Sequence, residues 1–351
     1  MVVIGADVHK RTHTFVAVDD VGRELGRKTV PATTPGHTAA VQWGRENFSG
    51  EVIWGIEDCR NLSARLERDL LSAGQKVVRV APKLMALQRA GGRARGKSDP
   101  IDALAVARAV LREPDLPVAA HDAVSRELKL LVDRREDLVV QRTSIVNRFL
   151  GRVHELDPDH SPKKRSMDRA KTHKALADWL STLDGLLAEL AADELADIVR
   201  LTATINALTQ RIGIAVQAVS PTLLALPGCG ELTAAKLVGE SAGITRFTSE
   251  AAFARHNGTA PIPAWSGNSA GRMRLNRTGN RQLNAALHRI AVTQIGMTRS
   301  AGQAYYRKRL AGGDSSSEAL RCLKRRLSRT VFNRLHADEK SRHHTSEPLA
   351  A

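Results

Sequence analysis

The spacing of apolar and polar positions changes along the 351-residue chain, and each change marks a different kind of element. Residues 2–9 and 14–18 are short, β-rich apolar runs parted by a polar turn, and a third run follows near Lys28-Thr29-Val30. Three such runs in close succession predict a β-meander. A helical stretch at about 36–47 leads to strand 51–56, helix 62–72 and strand 77–80. Two further helices follow, the second opening at Pro100 and running to about Arg112. A meander followed by alternating helices and strands indicates an α/β domain with a mixed sheet.

Residues 113–121 carry two prolines and read as a linker. Beyond them adjacent apolar pairs recur every seven residues, at Leu131/Val132, Leu138/Val139 and Ile145/Val146, with Val153 one heptad later. That period predicts one long amphipathic helix of coiled-coil type starting near Ala123. At 1.5 Å per residue it would extend roughly 50 Å. A polar break from Asp157 to Arg165 precedes a second apolar-periodic stretch, from Ala175 to about Val219. The two stretches predict an antiparallel helical arm, and periodicity alone fits an ordinary helical bundle equally well. A third unit begins near Pro221 and ends near Leu335, and the polar tail 337–351 is expected to be disordered.

Composition narrows the function classes. An apolar fraction of 42% supports real cores, while an aromatic share of 3% argues against a broad base-stacking platform. Lys and Arg number 53 against 37 acids, a net charge of +16, which suits a phosphate-rich partner. A membrane surface could attract the same charge. The longest uncharged run, Ile212–Gly230, contains Pro221 and three glycines and makes a poor membrane span. Cys59, Cys229 and Cys322 are odd in number and far apart, which predicts a reducing cytoplasm and no zinc site. The opening Met1-Val2-Val3-Ile4-Gly5 reads as a strand rather than a signal segment, so a cytoplasmic protein without a membrane partner is expected.

Carboxylates then stand out by placement. Asp7 lies near the end of the first strand, Glu57 ends a later strand, and Asp99 and Asp102 are spaced i, i+3 at a helix start. Two-metal phosphodiester chemistry needs such acids within reach of ions about 3.5–4 Å apart, and Mg²⁺ prefers oxygen ligands. Asp99-Pro100-Ile101-Asp102 is also good helix-start chemistry, with Asp99 as N-cap, Pro100 at N1 and Asp102 at N3. Asp58 is a neighbouring rival to Glu57. His9 and Lys10 are expected to face phosphate or solvent rather than metal. The glycine-interleaved run with Arg93, Arg95 and Lys97 is a basic loop suited to a nucleic-acid backbone, or simply to solvent.

The third unit carries three more features. Pro227-Gly228-Cys229-Gly230 ahead of an apolar helix looks like a helix-hairpin-helix, which would offer backbone N–H groups to a phosphate, or like a tight interhelix turn. A Pro/Gly/Ser loop, 260–271, contains Ser266 and Ser269 and leads into Arg272, Arg274, Arg277 and Arg281 with no acid between them. A loop serine beside guanidinium groups has the parts of a nucleophile with its phosphate clamp. From Tyr305 to Arg334 nine basic residues, Lys324 and Arg325 among them, face only Asp314 and Glu318, a candidate backbone-binding surface.

Gly5-Ala6-Asp7-Val8-His9-Lys10, Glu57, and Lys97-Ser98-Asp99-Pro100-Ile101-Asp102-Ala103 resemble the acidic motifs of the DEDD-type insertion-sequence transposases, over nearly the whole chain. The small and aromatic residues that many relatives carry after the glutamate are replaced here by Asp58-Cys59-Arg60. Relatives often show two serines before the loop glycine, where Trp265 takes the first place and leaves Ser266 favoured over Ser269. The resemblance implies an RNase H-like, resolvase-like catalytic domain at 1–115, a helical coiled-coil arm at 122–218, and a mainly α transposase domain with helix-hairpin-helix at 219–336. It implies Mg²⁺, with Mn²⁺ possible, held by Asp7, Glu57, Asp99 and Asp102, and Ser266 as nucleophile. Its implied partners are donor and target DNA, an element-encoded bridge RNA as guide, and further copies in a homodimer or tetramer. The implied setting is the bacterial cytoplasm, associated with the nucleoid. Two alternatives stand beside this reading: a resolvase-like endonuclease that uses water, and a non-enzymatic nucleic-acid-binding protein.

Overall fold

The computed structural model describes residues 1–57, 62–90, 98–113, 116, 118–120, 122–263, 273–275 and 279–346. Its N-terminal unit holds strands β1 (Val2–Val8), β2 (Thr12–Val18), β3 (Glu24–Pro31), β4 (Val52–Glu57) and β5 (Lys76–Val80). Helices α1 (Thr34–Asn47), α2 (Ala64–Ser72), α3 (Pro82–Ala90) and α4 (Asp99–Arg112) complete it. The sheet runs β3-β2-β1-β4-β5, with β1 antiparallel to β2 and parallel to β4, and β4 parallel to β5. This is the mixed sheet that the meander-then-alternation pattern predicts. β1 is central and buried on both faces, which is why Val3 to Val8 read as one apolar run rather than an alternation.

The two faces take different helices. Ile4, Ala6, Phe15, Trp54 and Ile56 pack with Leu66 and Leu70 of α2 and Ala40 and Val41 of α1. Val3, Val16, Ile53 and Val78 pack instead on Ala103, Val106, Ala107 and Val110 of α4. Each such fully buried Val or Ile contributes roughly 1.5–3 kcal/mol by leaving water.

Helix α5 (Ala123–Leu156) is a single 34-residue element, as the heptad pairs predict. The apolar stretch after the polar break is two helices rather than one: α6 (Ala170–Leu180) and α7 (Leu186–Val219). The chain breaks at Gly185, whose φ of 103° is available to glycine but not to a continuing helix. Helices α5 and α7 run antiparallel, since partner positions fall as the others rise: Glu127 with Arg211, Arg135 with Thr209, Arg142 with Thr202, Arg152 with Glu194. Leu138, Ile145, Phe149 and Val153 meet Leu195, Ile198, Leu201 and Ile205 between them. At the other end of the pair Leu131, Val132, Ile212 and Val216 join the core of the C-terminal unit, so the arm is rooted in that core.

The C-terminal unit comprises α8 (Pro221–Leu224), α9 (Glu231–Ser241), α10 (Glu250–His256), strands β6 (Pro261–Pro263) and β7 (Met273–Leu275), α11 (Arg281–Gly296), α12 (Ala301–Ala311) and α13 (Ser316–Ser346). The strands pair antiparallel, Pro261 with Leu275 and Pro263 with Met273, so the segment expected as one loop has a two-stranded base. The expected disordered tail is corrected over 337–346, while 347–351 lie outside the described residues. α13 continues to Ser346, and Asp338, 2% exposed, accepts the Thr222 and Leu223 N–H groups at the start of α8. Glu339 accepts the Ile244 N–H and the Thr245 hydroxyl. Asp338 thus serves a helix start and Glu339 the turn after α9, roles that a count of polar residues cannot distinguish from solvated charge. Among the described residues no helix is long and apolar enough to cross a membrane.

Candidate functional site

Register brings the first two acids together. The last recorded β1–β4 pair is Ala6 with Ile56, which sets Asp7 level with Glu57 on neighbouring parallel strands roughly 4.8 Å apart. Their face follows from the glycine two residues before each. A Cβ on Gly5 would lie 2.1 Å from the Ala103 carbonyl oxygen and 2.5 Å from the Ala107 nitrogen. A Cβ on Gly55 would lie 2.7 Å from a Val110 methyl. Both glycines therefore face α4, and with a side-chain period of two Asp7 and Glu57 face the same side.

Absent side chains at Gly5 and Gly55 let α4 lie almost directly on the strands, and its first turn then carries Asp99 and Asp102 to the end of β1. The expected cap is displaced by one residue. Ser98 is the N-cap, and its carbonyl accepts the Asp102 N–H at 3.0 Å. Asp99 is therefore the first residue inside the helix rather than its cap, which leaves the N-cap role to a neighbour. The N-terminal end of a helix carries partial positive charge, which favours carboxylates there.

The electrostatics fit a cation. Asp7 Oδ2 lies 3.0 Å from His9 Nε2, and the same nitrogen lies 3.4 Å from Asp99 Oδ1. One donor atom from each of Asp7, His9 and Asp99 falls within 4.8 Å of the others. Burial raises the Asp7 carboxyl above its usual pKa; His9 opposes this, while Asp102 and Asp99 add to the rise. A buried carboxylate pressed by two others is a group that a divalent cation would relieve. Asp102 is itself buried. Lys10 is exposed, as expected, whereas His9 is drawn between the carboxylates. His9 and the glycine pair are what sequence reasoning missed. The shared spacing in Gly5-Ala6-Asp7 and Gly55-Ile56-Glu57, together with Ala103 and Ala107 four apart, was the available signal.

The remaining residues are spread over the other units. Arg93, Arg95, Lys97, Ser266, Arg272 and Arg277, with the rivals Asp58 and Ser269, lie outside the described residues. Arg274 sits in β7, paired with Ile262. Arg281 opens α11, where Asn280 caps the Gln282 and Leu283 N–H groups. Gly228, at φ 81°, turns the chain against α11, and Gly230 is the N-cap of α9. Glu231 stands in the first turn of α9, bonded to Gln217, so this helix start already holds a carboxylate. Lys324 is turned onto Asn284, and burial lowers its pKa. Arg325 pairs with Glu250. Both are half-buried and engaged within the unit, whereas Arg307, Lys308, Arg321, Arg326 and Arg329 nearby are exposed.

Comparison with known proteins gives a consistent result. Residues 4–158 match the DEDD model of IS110 type, described as "Transposase", and residues 220–307 match the model described as "Transposase IS116/IS110/IS902 family". The insertion element IS900 uncharacterized 42 kDa protein of Mycobacterium paratuberculosis is 25% identical, covering 92% of this chain and 93% of that protein. The insertion element IS116 uncharacterized 44.8 kDa protein of Streptomyces clavuligerus is 24% identical over 92% of each. Among solved structures, Thermus thermophilus RuvC is similar over 34% of this chain and 99% of that one, at 16% identity and a TM-score of 0.27.

Proposed function

Because the chain belongs to the IS110-type family of insertion-sequence transposases, whose two models match more than half of it, we propose that it cuts and rejoins DNA with a serine nucleophile at a carboxylate-held cation centre. The convergence of Asp7, Asp99 and Asp102 at the end of β1 carries the reading, because three like charges are gathered where one of them is already strained by burial.

In this reading residues 1–115 form the catalytic unit, 122–218 a coiled-coil arm and 219–336 the transposase unit. Asp7, Glu57, Asp99 and Asp102 hold Mg²⁺, or Mn²⁺ in its place, which when bound supplies Lewis-acid stabilisation to charge gathering on phosphate oxygens. Ser266 attacks phosphorus, and its Oγ–P bond forms as the strand's own P–O bond breaks. The hydroxyl proton is lost from Oγ and the departing deoxyribose oxygen takes one up, leaving a free strand hydroxyl. The phosphoserine keeps the bond energy needed for rejoining. Arg272, Arg274, Arg277 and Arg281, just downstream, neutralise and orient the attacked phosphate. Lys10, Arg93, Arg95 and Lys97 hold the backbone beside the acids, and Gly228 and Gly230 extend the contact surface on the C-terminal unit. Serine and acids sit on different units, so the complete site is assembled between domains or between copies, with the arm joining a dimer or tetramer. Sequence choice is delegated to base pairing by an element-encoded bridge RNA, which suits a chain with few aromatic residues and no base-reading motif.

The experiment is to trap strand-cleavage products under denaturing conditions. A covalent protein–DNA adduct that disappears in Ser266→Ala is expected. Cleavage that persists in Ser266→Ala without any adduct would replace serine by water as nucleophile. Cation-dependent cleavage surviving Asp7→Asn and Asp102→Asn would remove the metal centre from the mechanism altogether; a loss of at least about 10²-fold is expected.

A further inference from the structure

We propose that His9 is a further donor of the cation centre, its Nε2 converting an all-carboxylate site into an imidazole-plus-carboxylate site that favours a first-row transition ion over Mg²⁺. The inference rests on Asp7 and Asp99 being ligands, and deepens that reading.

Geometry points this way first. The His9 nitrogen lies 3.0 Å from one Asp7 oxygen and 3.4 Å from one Asp99 oxygen. Two donors each about 2.1 Å from a six-coordinate ion, at right angles to one another, are about 3.0 Å apart. His9 already stands at the spacing of a neighbouring ligand from Asp7, and close to it from Asp99.

An ordinary ion pair accounts for this less well. Nε2 carries at most one hydrogen, which can point at only one of two carboxylate oxygens. A cation lying among the three donors satisfies all of them at once. A half-exposed histidine–aspartate pair is also worth little by itself, so stability gives scant reason for the arrangement. The ring is nonetheless presented from fixed backbone. The His9 N–H donates to the Thr12 carbonyl at 3.1 Å and closes the β1–β2 turn.

Donor chemistry supplies the selectivity. Mg²⁺ binds through oxygen and gives up water reluctantly, whereas transition ions gain from nitrogen ligands. His9 therefore ranks ions at the site while the carboxylates hold them.

The test uses the full chain, stripped of metal, titrated separately with Mn²⁺ and Mg²⁺ and examined by pulsed electron paramagnetic resonance with Mn²⁺ bound. Wild type should prefer Mn²⁺ and show nitrogen hyperfine coupling from an imidazole. His9→Ala should lose that coupling and bind Mn²⁺ about 10-fold more weakly or worse. His9→Asp, which restores an oxygen donor, should recover cation binding with the preference moved toward Mg²⁺. Absence of nitrogen coupling in wild type, or unchanged Mn²⁺ affinity in His9→Ala beside lost affinity in Asp7→Asn, overturns the role of His9 and leaves the carboxylate centre standing. Unchanged binding of both ions in Asp7→Asn overturns both.

Discussion

The N-terminal and C-terminal units treat charge in opposite ways. At the end of β1 the chain gathers acids: Asp7 is buried, and Asp99 and Asp102 both press on it. In the C-terminal unit, which supplies much of the basic excess, charges are repeatedly matched within the unit or against the root of the arm. Arg325 pairs with Glu250, Lys236 with Glu136, and Lys129 with Glu240. Asp338 and Glu339 serve as acceptors for backbone N–H groups. Matched charge is spent on architecture, whereas like charge held together against its own repulsion is a strain that a bound cation would relieve. A count of Lys and Arg cannot separate the two uses.

The sharpest way to break this contrast is Gly5→Ala. The added methyl meets the backbone of α4, which has no flexible side-chain end to yield, so α4 must move off the sheet. Overpacking of this kind costs about 3 kcal/mol or more. The Asp7–Asp102 coupling should be lost even in the fraction that folds, with urea unfolding and Mn²⁺ binding as the paired measurements. A stable Gly5→Ala protein with unaltered cation binding would detach the site from helix–sheet contact.

Acid should find the same unit vulnerable. Burial, with His37 stacked beside it, lowers the His13 pKa to about 4. Between the ordinary histidine value near 6.5 and that lowered value the unfolded chain binds more protons than the folded one, so stability falls as pH drops through this window. The contribution, fully present above it, is up to about 3 kcal/mol. The urea midpoint followed from pH 7 to 4 should decline, and His13→Phe, which cannot titrate, should flatten the decline.

Smaller effects belong to the C-terminal unit. Asp338→Ala removes the acceptor for two N–H groups of α8 and should cost about 1–2 kcal/mol in denaturant melts, an effect absent if 337–346 were a free tail. The smallest effect separates matched from exposed cations. Arg326, exposed over the Tyr305 ring, should lower the salt slope of nucleic-acid binding by about 1 when changed to Ala. Arg325→Ala should chiefly reduce stability by removing the nearer of the two arginines on Glu250, and an equal or larger change in its salt slope would erase the distinction.

The mixed sheet, the long α5 and the elements that carry the candidate acids were legible because each is written in local pattern: short β-rich runs, pairs seven apart, carboxylates at element ends. The break at Gly185 was obscured because apolar spacing continues on both sides of it. The tail was misjudged because Asp338 and Glu339 find their partners more than 90 residues away in sequence, at Thr222 and Ile244.

The residue types at the site, and the elements that carry them, were settled by the linear order alone, since strand and helix propensity act over a few neighbours. That Asp7 stands level with Glu57, that α4 can lie on Gly5 and Gly55, and that His9 turns between two carboxylates were decided by the fold. Each depends on a distance between segments that only packing sets. The same is true of which basic residues face outward, because a salt bridge forms only when tertiary contact brings an acid within reach.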